Sequence, residues 1–195
     1  MSASSPAMDT FIREYMLSDP SICDALVELF KKAVAANLVL PGVVGADVVD
    51  PKWKRSTDLG MGVAEKHWNL REFRFDAYMQ EVSGFINRYI EELVSHGGSF
   101  QLKYPPQIQW YKPGEGFYAW HVDGAHGHTD RALVFTTYLN DVTDGGGTEF
   151  HYQRKVTSPV KGNTVIFPAA LTHVHRGVVS PTQHKYLLTG WLCWA

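Results

Sequence analysis

From Ile108 to Cys193 the chain divides into eight short runs rich in aromatic and β-branched residues, separated by turn signals. They are Ile108–Tyr111, Phe117–Val122, Ala132–Leu139, Thr148–Tyr152, Lys155–Val160, Thr164–Phe167, Thr172–Val179 and Tyr186–Cys193. Runs this short and this closely spaced predict the strands of an all-β sandwich or barrel of the jelly-roll kind.

The region before them has a different period. Asp19-Pro20 reads as a helix start, and Ile22, Leu26, Leu29, Phe30 and Ala33 recur at helical spacing until Asn37 and Pro41-Gly42. Phe75, Met79, Val82, Ile86, Tyr89 and Leu93 predict a second helix, stopped by His96-Gly97-Gly98. Between the two, residues 41–69 read as irregular and glycine-punctuated. The polar run Lys52 to Asp58 reads as exposed, and the loop from Val43 to Asn69 as part of a substrate lid. Helices followed by strands argue an α+β fold. The expectation is one domain over residues 1–195, with helical support and loops over 1–100 packed on one face of a catalytic jelly roll (a double-stranded β-helix) over 105–195.

A chain of 195 residues, 45% hydrophobic, suffices for one sizeable core. A net charge of -2 gives no electrostatic reason to expect nucleic acid or an anionic membrane as partner. Cys23 and Cys193 lie near opposite ends and read as buried thiols in a reducing compartment. Met1 to Ala7 lacks the basic start and apolar core of a signal peptide, and no apolar run approaches the roughly 20 residues of a membrane span. A soluble cytoplasmic location is the expectation. The sequence does not address oligomeric state.

The chemistry concentrates in Trp120-His121-Val122-Asp123-Gly124. Strand side chains alternate faces, so His121 and Asp123 point the same way and can share a metal. Alone, His-x-Asp is a weak signal in a chain with nine His, and a structural His–Asp hydrogen bond would explain it. A second imidazole from Thr172-His173-Val174-His175-Arg176-Gly177 changes the weighing. Two His and one carboxylate that leave three positions open form the facial arrangement of non-haem iron(II) oxygenases. His173 and His175 have the same parity, and periodicity does not choose between them. In the last strand Lys185, Leu187, Thr189 and Trp191 share a face. A lysine on an apolar face calls for an anion, which a dicarboxylate cosubstrate would supply. Gly145–Gly147 reads as a hairpin turn, since no Gly-Lys-Ser/Thr and no helix follows it. His126 and His128 read as loop residues in loose contact with substrate or solvent.

Three ordered segments resemble the prolyl 4-hydroxylase-like branch of the 2-oxoglutarate/iron(II) oxygenases. They are "YKPGEGFYAWHVDG", "RALVFTTYLNDVTDGGGTEF" and "VKGNTVIFPAALTHVHRGVVSPTQHKYLLTGWL". The resemblance implies iron(II) held by His121, Asp123 and His175. The last is chosen because the family's basic residue follows ten positions later, at Lys185. It further implies 2-oxoglutarate and dioxygen as cosubstrates, ascorbate as reductant, and Lys185 on the distal carboxylate, assisted by the hydroxyls of Tyr111 and Thr148. Arg131 and Trp191 match positions on the substrate side. The implied reaction hydroxylates an unactivated C–H bond while 2-oxoglutarate is decarboxylated to succinate and CO2. The implied substrate is a prolyl residue in a peptide or protein, with a free amino acid or small molecule as the alternative. Two departures bear on the substrate: Gln183-His184-Lys185 stands where the family has Gly-x-Lys, and Gly145-Gly146-Gly147-Thr148 where it has Gly-Gly-Glu-Thr. Two rival classes remain: a cupin-like metalloenzyme using His121, His173 and His175, and a non-catalytic jelly-roll binding module.

Overall fold

The computed structural model describes residues 9–45, 48–94, 98–125 and 127–195. Strand β1 (Arg13–Met16) precedes helix α1 (Ser21–Ala35). The side chain of Asp19 accepts the Ser21 N–H at 3.0 Å, so the helix starts where Asp19-Pro20 predicts. It ends at Asn37, whose φ of 56° lies in the left-handed region, while Leu38 N donates to Ala33 O at 3.0 Å. The predicted face of α1 is the buried one: Ile22, Leu26, Leu29, Phe30 and Ala33, joined by Cys23. Burying each large aliphatic or aromatic side chain there contributes about 1.5–3 kcal/mol.

Strands β2 (Leu40–Pro41) and β3 (Thr57–Gly60) and helix α2 (Met61–Ala64) follow. Helix α3 (Phe75–Leu93) buries Tyr78, Val82, Phe85 and Tyr89. His96 and Gly97, read as its stop, lie outside the described residues, as does the Met1–Ala7 segment. The remaining strands are β4 (Phe100–Gln101), β5 (Gln107–Tyr111), β6 (Arg131–Tyr138), β7 (Thr148–Phe150), β8 (Lys155–Val156), β9 (Asn163–Pro168), β10 (His175–Gly177) and β11 (Lys185–Trp194).

These strands form an eight-stranded sheet in the order β1-β9-β6-β11-β5-β3-β2, with β4 also on β11, and a three-stranded sheet β10-β7-β8. Every pairing is antiparallel. Alternation along the strands of the large sheet separates two cores. Leu133, Phe135, Ile166, Leu188 and Leu192 face α1 and α3 on the outer side. Val134, Tyr138, Val165, Phe167, Leu187 and Trp191 face inward, where Phe150 of the small sheet meets them. At the centre, Gly190 lies opposite Phe135 in the register, and a Cβ on it would come within 2.2 Å of the Phe135 ring. The arrangement is the predicted jelly roll with helices on one face.

Four features differ from the sequence reading. First, the region before residue 101 is more than helical support: β1, β2, β3 and β4 all join the large sheet. Second, the polar run is not uniformly exposed, since Lys54, Ser56 and Asp58 are buried. Third, Phe117–Val122 is not a continuous strand and makes only isolated bridges, Lys54↔Phe117 and His121↔His175. Tyr118 N and Ala119 N both turn to the Trp53 carbonyl, which breaks the ladder between the bridges. Fourth, Gly145–Gly147 is no hairpin, because β6 and β7 lie in different sheets. It carries the chain across a tight passage: Gly145 and Gly146 have φ of 130° and 79°, and a Cβ on Gly145 would lie 2.3 Å from the Val179 carbonyl oxygen.

Candidate metal centre and its cavity

Between the two sheets opens a cavity of about 1040 Å³. It is lined by His121, Asp123, His175 and Lys185, and also by Arg131, Trp191, Tyr111 and Thr148. The size is at the upper end of small-molecule sites, roughly 300–1,000 Å³.

His121 and His175 are locked together by their backbones. His121 N donates to His175 O at 3.0 Å and His175 N donates to His121 O at 2.9 Å. One donor atom each from His121, Asp123 and His175 lies within 4.8 Å of the others. The Nδ1 of His121 meets the Ala119 carbonyl at 3.0 Å, and the Nδ1 of His175 meets the His173 carbonyl at 2.9 Å. A carbonyl only accepts, so each Nδ1 carries the proton and each Nε2 keeps its lone pair. Burial, then the neighbouring His175, pushes the His121 pKa down to about 3, which keeps that ring neutral. Its ring stacks on Phe117 with centroids 3.5 Å apart.

Asp123 completes the set. Its Oδ1 accepts the Trp191 indole N–H at 2.8 Å, whereas its buried Oδ2 has no hydrogen-bond partner among the described residues. Burial works to raise the pKa of this carboxyl, but His175, His121, Trp191 and Arg131 together outweigh it and leave it lowered. Oδ2 stands 3.3 Å from the Nε2 of His175. With Nδ1 protonated, those two atoms are both acceptors, and a cation between them relieves the contact. The donor set therefore fits a divalent ion of intermediate softness, with one atom of each residue fixed by the protein and the other left for the metal.

His173 is not part of this set. Its Nε2 meets the Thr10 carbonyl and its Nδ1 the Thr172 hydroxyl, both at 2.9 Å. Of the two loop imidazoles, His128 lines the cavity apart from the three, and His126 lies outside the described residues.

Lys185, the first residue of β11, is 3% exposed and faces Tyr111 in the register, with Nζ 4.6 Å from that ring's centroid. Burial pushes its pKa down to about 8, and among the described residues no carboxylate pairs with it. The hydroxyls expected to assist it are engaged elsewhere. Tyr111 donates to Gln109 Oε1 at 3.0 Å, and Thr148 shares a hydrogen bond with Tyr138 at 3.1 Å. The tyrosine meets the lysine with its ring face, a cation–π contact.

The cavity wall also holds a group that the sequence reading placed at the surface. Lys54 Nζ lies 2.7 Å from Asp58 Oδ2, and Ser56 donates to Asp58 Oδ1 at 2.7 Å. Lys54 and Asp58 are 3% and 8% exposed, so this is a buried ion pair. Its only sequence signal is the i, i+4 spacing of opposite charges.

A family model described as the 2OG-Fe(II) oxygenase superfamily matches residues 106–193, the stretch that carries His121, Asp123, His175 and Lys185. Iron(II), 2-oxoglutarate and dioxygen are the reagents that this match implies. Solved structures similar to the chain include a prolyl-4-hydroxylase of Pseudomonas putida, with a TM-score of 0.70 at 19% identity over 93% of this chain and 92% of that one. A second is a Trichoplax adhaerens prolyl hydroxylase in complex with a hypoxia inducible factor peptide fragment, with a TM-score of 0.73 at 14% identity over 93% and 83%. A third is the viral collagen prolyl hydroxylase of Paramecium Bursaria Chlorella virus-1, with a TM-score of 0.65 at 18% identity over 94% and 96%. At these identities the likeness is one of fold. No curated protein sequence matches the chain. Among the described residues, no helix is long and apolar enough to cross a membrane.

Proposed function

We propose that the protein is an iron(II)- and 2-oxoglutarate-dependent dioxygenase in which His121, Asp123 and His175 hold the metal and Lys185 receives the distal carboxylate of the cosubstrate. The observation that carries this reading is the pairing of three converging donor atoms with an unpaired buried lysine in the same cavity.

When bound, iron(II), 2-oxoglutarate and dioxygen supply the oxidising chemistry: substrate–H, 2-oxoglutarate and O2 give substrate–OH, succinate and CO2. The chain's part is to bind, orient and shield. The carbonyls of Ala119 and His173 fix the two imidazole tautomers. Trp191 fixes the carboxylate rotamer of Asp123. Lys185 places an ammonium where a carboxylate replaces the water it has lost. Phe117, Phe150 and Phe167 wall the imidazoles with apolar surface that excludes water. Ascorbate is the reductant that keeps the metal iron(II) in this reading.

The substrate reading from the relatives is a prolyl residue in a peptide, since one of them carries a peptide fragment in its structure. A free amino acid or another small molecule is the second reading. The engagement of both His173 nitrogens speaks against the cupin-like alternative.

The test is substrate-free turnover. Purified protein is given iron(II), ascorbate, oxygen and 2-oxoglutarate, and succinate is followed with Asp123→Ala as control. Iron-dependent succinate that the control lacks is expected. If wild type releases none and also shows no anaerobic metal-to-2-oxoglutarate charge-transfer band, the reading fails.

A further inference from the structure

We infer that the buried Lys54–Asp58 pair is a positioning element for His121, setting where that imidazole stands at the candidate metal centre. The assignment rests on the oxygenase reading and adds two residues to the machinery of the same site.

The fold creates the need for such an element. His175 belongs to strand β10, but His121 lies in a stretch that no continuous ladder holds. What that stretch is bonded to on either side therefore sets the imidazole. One side is the bridge to His175. The other is the short segment from Trp53 to Arg55. Arg55 N donates to Gly116 O at 2.9 Å, and Tyr118 N and Ala119 N donate to Trp53 O at 2.8 and 3.3 Å, around the Lys54↔Phe117 bridge. Two parts of this contact reach the imidazole itself. The Ala119 carbonyl accepts its Nδ1–H, and the Phe117 ring lies on it with planes 6° apart.

Residues 53–55 precede β3 and belong to no strand. Beyond the chain link, the ion pair ties them to the large sheet. Lys54 Nζ reaches forward to Asp58 Oδ2 at 2.7 Å, and Asp58 lies within β3, opposite Gln109 of β5. Ser56 donates to the other carboxylate oxygen at 2.7 Å, which fixes its rotamer. The same ammonium stands 5.9 Å from the centroid of the Phe117 ring, within reach of a cation–π contact. Lys54 thus joins a sheet residue to the ring on which His121 stacks. Gly42 closes the pair in: a Cβ there would collide with Ser56 Oγ and crowd Lys54 and Asp58.

A buried ion pair adds little net stability over apolar residues of the same volume, because desolvation offsets the attraction. Its distinctive contribution is direction. Apolar side chains would fill the space without fixing the angle at which residues 53–55 meet residues 116–119. Groups that orient a metal ligand from outside are worth about 10–100-fold in metal affinity.

The experiment measures iron(II) affinity by anaerobic calorimetry. On cobalt(II)-loaded protein it also follows the hyperfine-shifted NMR signals of the two imidazole Nδ1–H protons. Lys54→Met/Asp58→Leu removes both charges and keeps the volume, whereas Phe117→Leu removes the ring and keeps the pair. Each is expected to bind iron(II) roughly tenfold or more weakly. Each is also expected to displace the His121 signal, identified in wild type by its nuclear Overhauser contact with the Phe117 ring, while the His175 signal stays. Lys54→Arg, which keeps the paired charges, is expected to retain most of the affinity. Unchanged iron(II) affinity in either of the first two variants overturns the inference. Movement of both signals together also overturns it, since that marks a general loosening. Either variant decides alone, so failure of one to fold leaves the test intact. Wild type separates the two readings. If it binds iron(II) and releases succinate while the variants bind unchanged, only the positioning role falls; if it binds no iron(II), the oxygenase reading falls with it.

Discussion

Trp191 donates its indole N–H to Asp123 Oδ1 at 2.8 Å, leaving Oδ2 as the sole oxygen of that carboxylate free to face a metal. Trp191→Phe keeps an aromatic ring under Arg131 and removes only this hydrogen bond. Partners of this kind typically contribute about 10–100-fold in metal affinity. A drop of that size is expected by anaerobic calorimetry with iron(II), and an unchanged affinity would show that Asp123 is oriented without the indole.

The two adjacent histidines give opposite outcomes. His175→Ala removes a converging donor and is expected to abolish tight iron binding in equilibrium dialysis. His173→Ala is expected to bind iron while losing about 1–3 kcal/mol of stability in urea, because the Thr10 carbonyl and Thr172 hydroxyl lose their partner. Iron retained by the first variant and lost by the second would reverse the ligand assignment.

Lys185 predicts a pH dependence for the cosubstrate. Burial lowers its pKa from 10.5 to about 8. Above that pH the free protein holds a neutral amine that must take up a proton to pair with an anion. The affinity for 2-oxoglutarate should then fall, approaching tenfold per pH unit above 8, until the pKa of the complex is reached. The stability sign runs the other way. The unfolded chain binds the extra proton between 8 and 10.5, so this group's contribution to stability rises with pH through that window. A 2-oxoglutarate affinity that is flat from pH 7 to 9.5 would remove Lys185 from the cosubstrate site.

The buried Lys54–Asp58 pair predicts asymmetric mutational costs. Asp58→Ala strands an ammonium and is expected to destabilise by about 3–5 kcal/mol. The double variant Lys54→Met/Asp58→Leu removes both charges and should cost much less. Urea denaturation of the two variants checks this, and equal losses would mean that the charges are not what the pair contributes.

The candidate metal centre was legible in the sequence because its signals are local: His-x-Asp two residues apart, and a lysine ten residues after His175. Strand parity left His173 and His175 equivalent; the family resemblance, with Lys185 ten positions on, points to His175, and the partners of His173 agree with it. The Lys54–Asp58 pair was illegible for the opposite reason. Lys54, Arg55, Ser56 and Asp58 show no apolar alternation, and Lys54, Ser56 and Asp58 are buried where β3 lies against β5, a pairing across some fifty residues. Strand β1 was missed because Tyr15 is its one buried residue, which sets no period. At Phe117–Val122 the composition favours a strand, but the carbonyl of Trp53 captures two successive amides.

The paired backbone bridge between His121 and His175 joins the loop after β5 to the small sheet. A chain that has closed only its large sheet cannot offer the third donor, so an ion held by all three would read out completed folding. By mass action, free metal at 100 times its dissociation constant adds about 2.7 kcal/mol to the native state. On the proposed reading, withdrawing iron(II) removes that stabilisation together with the activity.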